Sequence, residues 1–174
     1  NILDFTNLTE ENIYVLDSPI LSNSQLEKFT NFFGKKSITI DCTFDKSENL
    51  ETSIERIRKE SEIAVRQGLT QLILSDKNIS ENRIPIPMLL SVGAINTYLI
   101  KKKLRGYASI NAQTGEALDT HSFATLIGVG ATTVNPYLAL DSLYQRFEKK
   151  LFGKFGYDEC IERYIQSVNY GLLK

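Results

Sequence analysis

The chain has 174 residues, with 20 Lys+Arg against 21 Asp+Glu, one His and a formal net charge of −1. Hydrophobic residues make up 42% and charged residues 24%, enough apolar surface to offset chain entropy and to exclude disorder as the main state. Near-neutral charge argues against a nucleic-acid partner. The absence of any apolar run of roughly 18–20 residues argues against a membrane partner.

One domain over residues 1–174 is expected at this length, with residues 1–17 an irregular lead-in of little periodicity. The start, Asn1-Ile2-Leu3-Asp4, shows no secretory pattern and no initiator Met, so the chain reads as a fragment of a cytoplasmic protein. Cys42 and Cys160 are too few for a disulfide framework or a four-ligand metal site. Reduced thiols are expected.

Pro19 pushes Ser18 out of the helical region, so Ser18 to Leu21 reads as extended. Ser22 with Gln25, or Ser24 with Glu27, offers a capping box for a short helix ending at Gly34. Dense β-branched residues from Ser37 to Phe44 predict a strand. Asp45 with Glu48 is a candidate cap for the next helix, whose stripe is Leu50, Ile54, Ile57, Ser61, Ala64 and Val65. Glu55–Lys59 and Glu62–Arg66 are favourable pairs on its wet side, and Gly68 suits its termination. The apolar run Leu72 to Leu74 turns polar at Ser75 and Asp76, as a buried parallel strand does.

Residues 77–86 read as a polar loop. Pro87 then opens a largely apolar helix that closes at Lys101-Lys102-Lys103. A third strand is expected over Tyr107 to Ala112, a helix over Ser122 to Ile127 and a fourth strand over Thr132 to Val134. Asn135 caps a helix starting at Pro136. Gly153 and Gly156 punctuate a break, and Asp158 starts a last helix, so residues 152–174 form a helical appendage. The predicted fold is α/β: parallel strands alternating with helices in about four β-α units, as a half-barrel or an open TIM-barrel-like sheet.

In such folds ligands sit at the carboxyl ends of the strands. Those ends supply Asp41 and Thr43, then Ser75 and Asp76, then Asn111, Gln113 and Glu116, then Asn135. Polar residues and caps are expected at strand ends in any case. His121, beside Asp119 and Glu116, is a candidate general base without an evident nucleophile; a structural role at a helix start is the alternative. Gly128-Val129-Gly130 has the outline of a dinucleotide turn but lacks the third glycine and precedes a strand rather than following one. No P-loop, metal cluster or catalytic set emerges, so no catalytic, cofactor-binding or metal residue is assigned.

Several segments taken together resemble the central domain of glutamate synthase large chains. They are Ser18-Pro19-Ile20-Leu21, Leu72 to Asp76, Ile84-Pro85-Ile86-Pro87 with Leu89-Leu90, and Val92-Gly93-Ala94. Further on come Thr114-Gly115-Glu116-Ala117, Phe123-Ala124, Leu126-Ile127-Gly128, Val134 to Leu140 and the final Gly171-Leu172-Leu173-Lys174. The resemblance implies a fragment of an enzyme that hydrolyses glutamine in an amidotransferase domain. Ammonia then passes through a tunnel to a flavin barrel, where 2-oxoglutarate becomes glutamate. It implies FMN and an iron–sulfur cluster in other segments, none here, and the amidotransferase and FMN-binding domains of the same chain as partners. The C-terminal appendage would lead to the flavin domain.

This sequence departs from the family pattern at four places. Ile95-Asn96-Thr97-Tyr98 stands where histidines usually follow, Gln113 and Leu118 replace a Glu and an Arg, and Ser122 replaces a second His beside His121. Three readings follow: a non-catalytic connector that positions the two catalytic domains and walls the ammonia path, a stand-alone small-ligand binder using the Asp41/Asp76/Gln113/Asn135 mouth, and a protein-interaction module using the aromatic segment from Tyr137 to Tyr170.

Overall fold

The computed structural model describes residues 14–174; the rest of the expected lead-in lies outside the described residues. In chain order the elements are α1 (Asn23–Phe33), β1 (Ser37–Asp41), β2 (Thr43–Asp45), α2 (Leu50–Arg66), β3 (Gln71–Ser75), β4 (Arg83–Pro85), α3 (Met88–Lys101), β5 (Ser109–Gln113), α4 (Thr120–Gly128), β6 (Thr133–Asn135), α5 (Tyr137–Glu148) and α6 (Tyr157–Leu172). The main sheet has the order β1-β3-β5-β6, and every neighbouring pair is parallel. This is the alternating α/β architecture that the sequence predicts, as an open sheet rather than a closed barrel.

Parallel strands need a crossover, and the amphipathic helices provide it. Alternation sends Ile40, Leu72, Leu74, Ile110, Ala112 and Val134 to one face. There they are buried with Ile57, Ala64 and Val65 of α2, Val92, Ile95 and Leu99 of α3, and Phe123 and Leu126 of α4. Helices α2 and α3 are also tied by polar contacts. Tyr98 Oη donates to Glu62 Oε2 at 2.6 Å, and Arg66 and Lys102 pair with the same carboxylate. Hydrogen bonds from Tyr98 and Arg66 hold the Glu62 carboxyl down to about 2.

The opposite face differs in chemistry. Register places Gln71 beside Ser109, Ile73 beside Asn111, Asn111 beside Thr133, Ser75 beside Gln113 and Gln113 beside Asn135. Residues 19–21 extend this sheet beyond β6. Val134 N–H donates to the Pro19 carbonyl at 2.8 Å, and Leu21 N–H donates to the Val134 carbonyl at 2.9 Å. Helix α1 then leads back to β1 at the far edge. The Ser22/Gln25 capping box is the one used, with Gln25 N–H on Ser22 Oγ and Ser22 N–H on Gln25 Oε1. Leu26 and Phe29 of α1 bury themselves with Leu21, away from the main core.

Several local expectations are corrected. The run from Ser37 to Phe44 is not one strand. Asp41 Oδ1 accepts the N–H and the hydroxyl of Thr43, at 2.8 and 2.7 Å, and this local turn redirects the chain. β2 thus leaves the main sheet and pairs antiparallel with β4, which lies inside the segment expected to be loop. Helix α2 is capped by Asn49, whose Oδ1 accepts the Glu51 N–H at 2.8 Å, while Asp45 holds Ser47. Asn135 belongs to β6 and caps no helix, because its side chain is drawn to the segment before α1.

Asn96, one of the departures from the family pattern, has a packing role. Arg105 Nε donates to Asn96 Oδ1 at 2.7 Å, Arg105 Nη1 to the Ala108 carbonyl at 2.6 Å and Arg105 Nη2 to the Gly130 carbonyl at 2.9 Å. Gly130 has φ +124°, and a Cβ there would meet the Asn96 side chain at 2.5 Å. Gly130→Ala should therefore destabilise the chain by about 1–3 kcal/mol through backbone strain alone. Urea unfolding will check this. Adding Asn96→Ala should recover only the part due to the clash.

Candidate functional site

The carboxyl ends of the four parallel strands stop almost level, because pairing continues one residue past each strand. Cys42 N–H donates to the Ser75 carbonyl at 2.8 Å, Asp76 N–H to the Gln113 carbonyl at 3.3 Å and Thr114 N–H to the Asn135 carbonyl at 3.0 Å. The predicted site residues other than His121 fall in three groups, two along this rim and one across a face of the sheet.

Asp76 is almost fully buried (1% exposed) and binds the loop after β5. Its Oδ2 accepts the Thr114 hydroxyl at 2.6 Å, and the Gly115 N–H lies 3.1 Å from both carboxylate oxygens. Burial, with the Asp76 charge beside it, pushes the Tyr137 hydroxyl well above its ordinary value. Glu116, next in that loop, crosses to α3. Its Oε2 accepts the Met88 N–H at 2.9 Å, filling the cap that Pro87 has no side chain to provide.

The second group surrounds Asp41. Its Oδ2 accepts Arg83 Nη2 at 2.9 Å and Asn78 Nδ2 at 3.1 Å. Arg83 also reaches Thr43 Oγ1 at 3.0 Å, and Arg56 donates to the carbonyls of Asp41 and Thr43. Burial alone would raise the Asp41 carboxyl, but hydrogen bonds from Thr43 and Asn78 and the Arg83 charge outweigh it, so its pKa lies below 3.8. The network pins the β2–β4 hairpin to the rim.

The third group lies on the sheet face away from α2–α4. Asn111 Nδ2 donates to Gln71 Oε1 at 3.2 Å, Thr133 donates to Asn111 Oδ1 at 2.8 Å and Ser75 Oγ to Gln113 Oε1 at 2.8 Å. Asn135 Nδ2 donates to the Leu21 carbonyl at 2.9 Å and to Asn23 Oδ1 at 3.0 Å.

His121 joins none of these groups. It is exposed on the first turn of α4, and its neighbour Asp119 is engaged by the N–H and hydroxyl of Ser122 at 2.9 and 2.7 Å. That hydrogen bonding holds the Asp119 carboxyl low. Ser122 thus works as a partner of the helix cap. The Cys42 thiol is buried and pushed up to about 12, far from a reactive thiolate. Arg83, Arg56 and Lys77 were not singled out in sequence. Arg56 lies on a helix face, Arg83 in β4 and Lys77 in the loop after β3, and their contacts appear only on folding.

The sequence matches the glutamate synthase central domain family over residues 1–174. The chain belongs to the glutamate synthase central domain family. It is 41% identical over 177 residues to the glutamate synthase [NADPH] large chain of Azospirillum brasilense and 38% identical over 175 residues to that of Bacillus subtilis. It is also 37% identical to the chloroplastic ferredoxin-dependent glutamate synthase of Oryza sativa, covering 91% of this chain and 11% of that protein. The two bacterial matches cover 100% and 98% of this chain but 12% and 11% of the relatives. The chain therefore spans about a ninth of the length of these relatives.

Among solved structures, a flavocytochrome b2 mutant with benzoylformate superposes with a TM-score of 0.53 at 14% identity, over 86% of this chain and 33% of that chain. A second flavocytochrome b2 mutant, with pyruvate bound, gives 0.50 at 13% identity over 86% of this chain and 46% of that chain. At these identities the likeness is one of fold.

The donor set of the central domain does not suit an iron–sulfur cluster. Among the described residues no three His, Cys, Asp or Glu side chains converge, and the two cysteines are buried apart in the chain, Cys42 between β1 and β2 and Cys160 in α6. The Gly128-Val129-Gly130 turn does not suit a flavin phosphate either, since the space a Cβ would fill at Gly130 is taken by Asn96. No helix among the described residues is long and apolar enough to cross a membrane.

Two outcomes test the rim. Asp76→Asn turns one acceptor oxygen toward the Thr114 and Gly115 donors into an amide nitrogen, and should cost about 1–3 kcal/mol in urea unfolding. Asp41 is depressed in the folded state, so its stabilisation is complete above 3.8 and is lost as pH falls below that value. Chemical denaturation between pH 6 and 3 should show a stability loss that is shallower in Asp41→Asn than in the parent chain.

Proposed function

We propose that this chain is the connecting domain of a glutamate synthase, holding the amidotransferase and flavin-binding domains in register and walling the path that ammonia takes between them. In this reading the parent polypeptide catalyses glutamine-dependent reductive amination of 2-oxoglutarate, with FMN and an iron–sulfur cluster carried by other segments. The observation that carries the reading is the family match over the whole chain together with its small share of the relatives' length. The rim chemistry supports it. Asp41, Asp76 and Glu116 are each committed to structural donors, and among the described residues no nucleophile is set beside a base.

The surface supports a role among neighbouring domains. An apolar groove of about 560 Å3 runs beside Pro19, Ala124, Ile127, Leu172 and Leu173. Leu173 is 88% exposed and Tyr170 66%. Such a patch is unfavourable in water and suits cover by another domain of the same polypeptide. Water exclusion matters for the proposed path, because ammonia that reaches solvent is protonated and no longer nucleophilic.

The 174-residue chain mixed with glutamine, 2-oxoglutarate, FMN and a reductant should form no glutamate; turnover by this chain alone defeats the reading. In the full-length polypeptide, Leu173→Glu should lower the ratio of glutamate formed to glutamine consumed while glutamine hydrolysis persists. An unchanged ratio counts against the docking role of this groove.

A further inference from the structure

The sheet face turned away from α2–α4 carries a cleft of about 350 Å3 that the connector reading leaves unused. Thr39, Ile73 and Gln113 contribute from the sheet, Asn23 and Glu27 from α1, and Lys77 from the loop after β3. The hydrogen bonds around it fix which way each amide faces. Ser75 Oγ accepts the Lys77 N–H at 3.3 Å and donates its own hydrogen to Gln113 Oε1 at 2.8 Å. Gln113 Nε2 is left as a donor with no protein acceptor among the described residues.

Asn135 is oriented in the same way. Its Nδ2 donates to the Leu21 carbonyl, which can only accept, and also to Asn23 Oδ1. Asn23 Nδ2 therefore faces outward as a second donor. Lys77 adds a positive charge, its ammonium 5.2 Å from the Tyr137 ring centroid and in no ion pair among the described residues. Two amide donors and one ammonium are the chemistry of a carboxylate site. Acceptors are present too. Glu27 brings a carboxylate to the cleft, and Asn135 Oδ1, one hydrogen bond behind the Asn23 wall, is buried without a donor. A buried acceptor left unmatched is costly, and a water shared with a ligand hydroxyl or ammonium relieves it.

We propose that this cleft binds a small monocarboxylate with a hydroxyl or ammonium group on the adjacent carbon. Lys77, Gln113 Nε2 and Asn23 Nδ2 hold the carboxylate. Glu27 accepts from the neighbouring group and repels a second negative charge. The proposal stands on this geometry and does not depend on the connector reading.

The test is a titration of the ¹⁵N-labelled 174-residue chain, followed by amide chemical shifts, with lactate, alanine, propionate, malonate and inorganic phosphate. Lactate or alanine should give saturable shifts at Asn23, Lys77 and the Gln113 side-chain amide. The tighter of the two tells hydroxyl from ammonium. Propionate should bind about tenfold more weakly, as expected for one lost hydrogen bond to a charged group, and malonate no better. Lys77→Met should abolish the shifts with every carboxylate. Glu27→Gln should erase the preference over propionate and admit malonate. Both side chains are exposed, so the spectrum of each variant should otherwise keep its dispersion. No saturable shift up to about 50 mM, shifts outside the cleft, or equal shifts with phosphate that survive Lys77→Met, meaning an adventitious ion only, would overturn the proposal. None of these outcomes bears on glutamate formation by the parent polypeptide.

Discussion

Everything in this chain rests on a parallel sheet whose two faces must be covered by different chemistry. Strands that run the same way cannot be joined by tight turns, so each pair carries a helix between its members. The helices bury one face of Ile, Leu, Ala and Val side chains. The other face alternates into Gln71, Asn111, Thr133, Ser75, Gln113 and Asn135. Amides buried there must find partners among themselves, because a lone amide in the interior costs more than the net value of a hydrogen bond. The result is a polar file across β3, β5 and β6, linked to the start of α1 through Asn135.

That file explains why the segment before α1 lies along β6. Residues 19–21 add backbone hydrogen bonds to β6, and the Asn135 amide takes the Leu21 carbonyl. Leu26 and Phe29 then bury with Leu21 as a second apolar cluster. The edge beyond β6 is thereby protected from further pairing. The same economy appears at the rim, where carboxylates that look chemical in the sequence are spent on structure. Asp76 orders the loop after β5, Glu116 caps α3 across the fold, and Asp41 anchors the hairpin of β2 and β4. A rim built this way is a stable surface for neighbouring domains to lean on. The cleft under α1 is different, since its amides and Lys77 keep donors to spare.

How much of this was legible beforehand depends on the range of the interaction concerned. The stripe of α2 from Ile57 onward, the capping box at Ser22 and the apolar run of β3 are local patterns, and they hold in the structure, while Leu50 at the start of the stripe stays exposed. The strand predicted through Phe44 breaks because one carboxylate, Asp41, captures the Thr43 N–H and hydroxyl, a contest between local and ladder bonding that propensity does not resolve. β4 is short and polar, so nothing in its three residues announces a strand; it exists because β2 lies beside it. Asn135 has the makings of a helix cap in sequence, but Leu21 and Asn23, over a hundred positions earlier, claim its amide.

The amino-acid sequence alone determined the alternating α/β class, the order of the helices and main-sheet strands and the family resemblance, because periodicity, caps and short motifs are set by neighbours a few residues apart. Only the tertiary structure decided which strand-end side chains are consumed by partners and which stay open. That outcome turns on hydrogen bonds between residues 22 to 114 positions apart, and such pairings exist only once the sheet has brought its strands side by side.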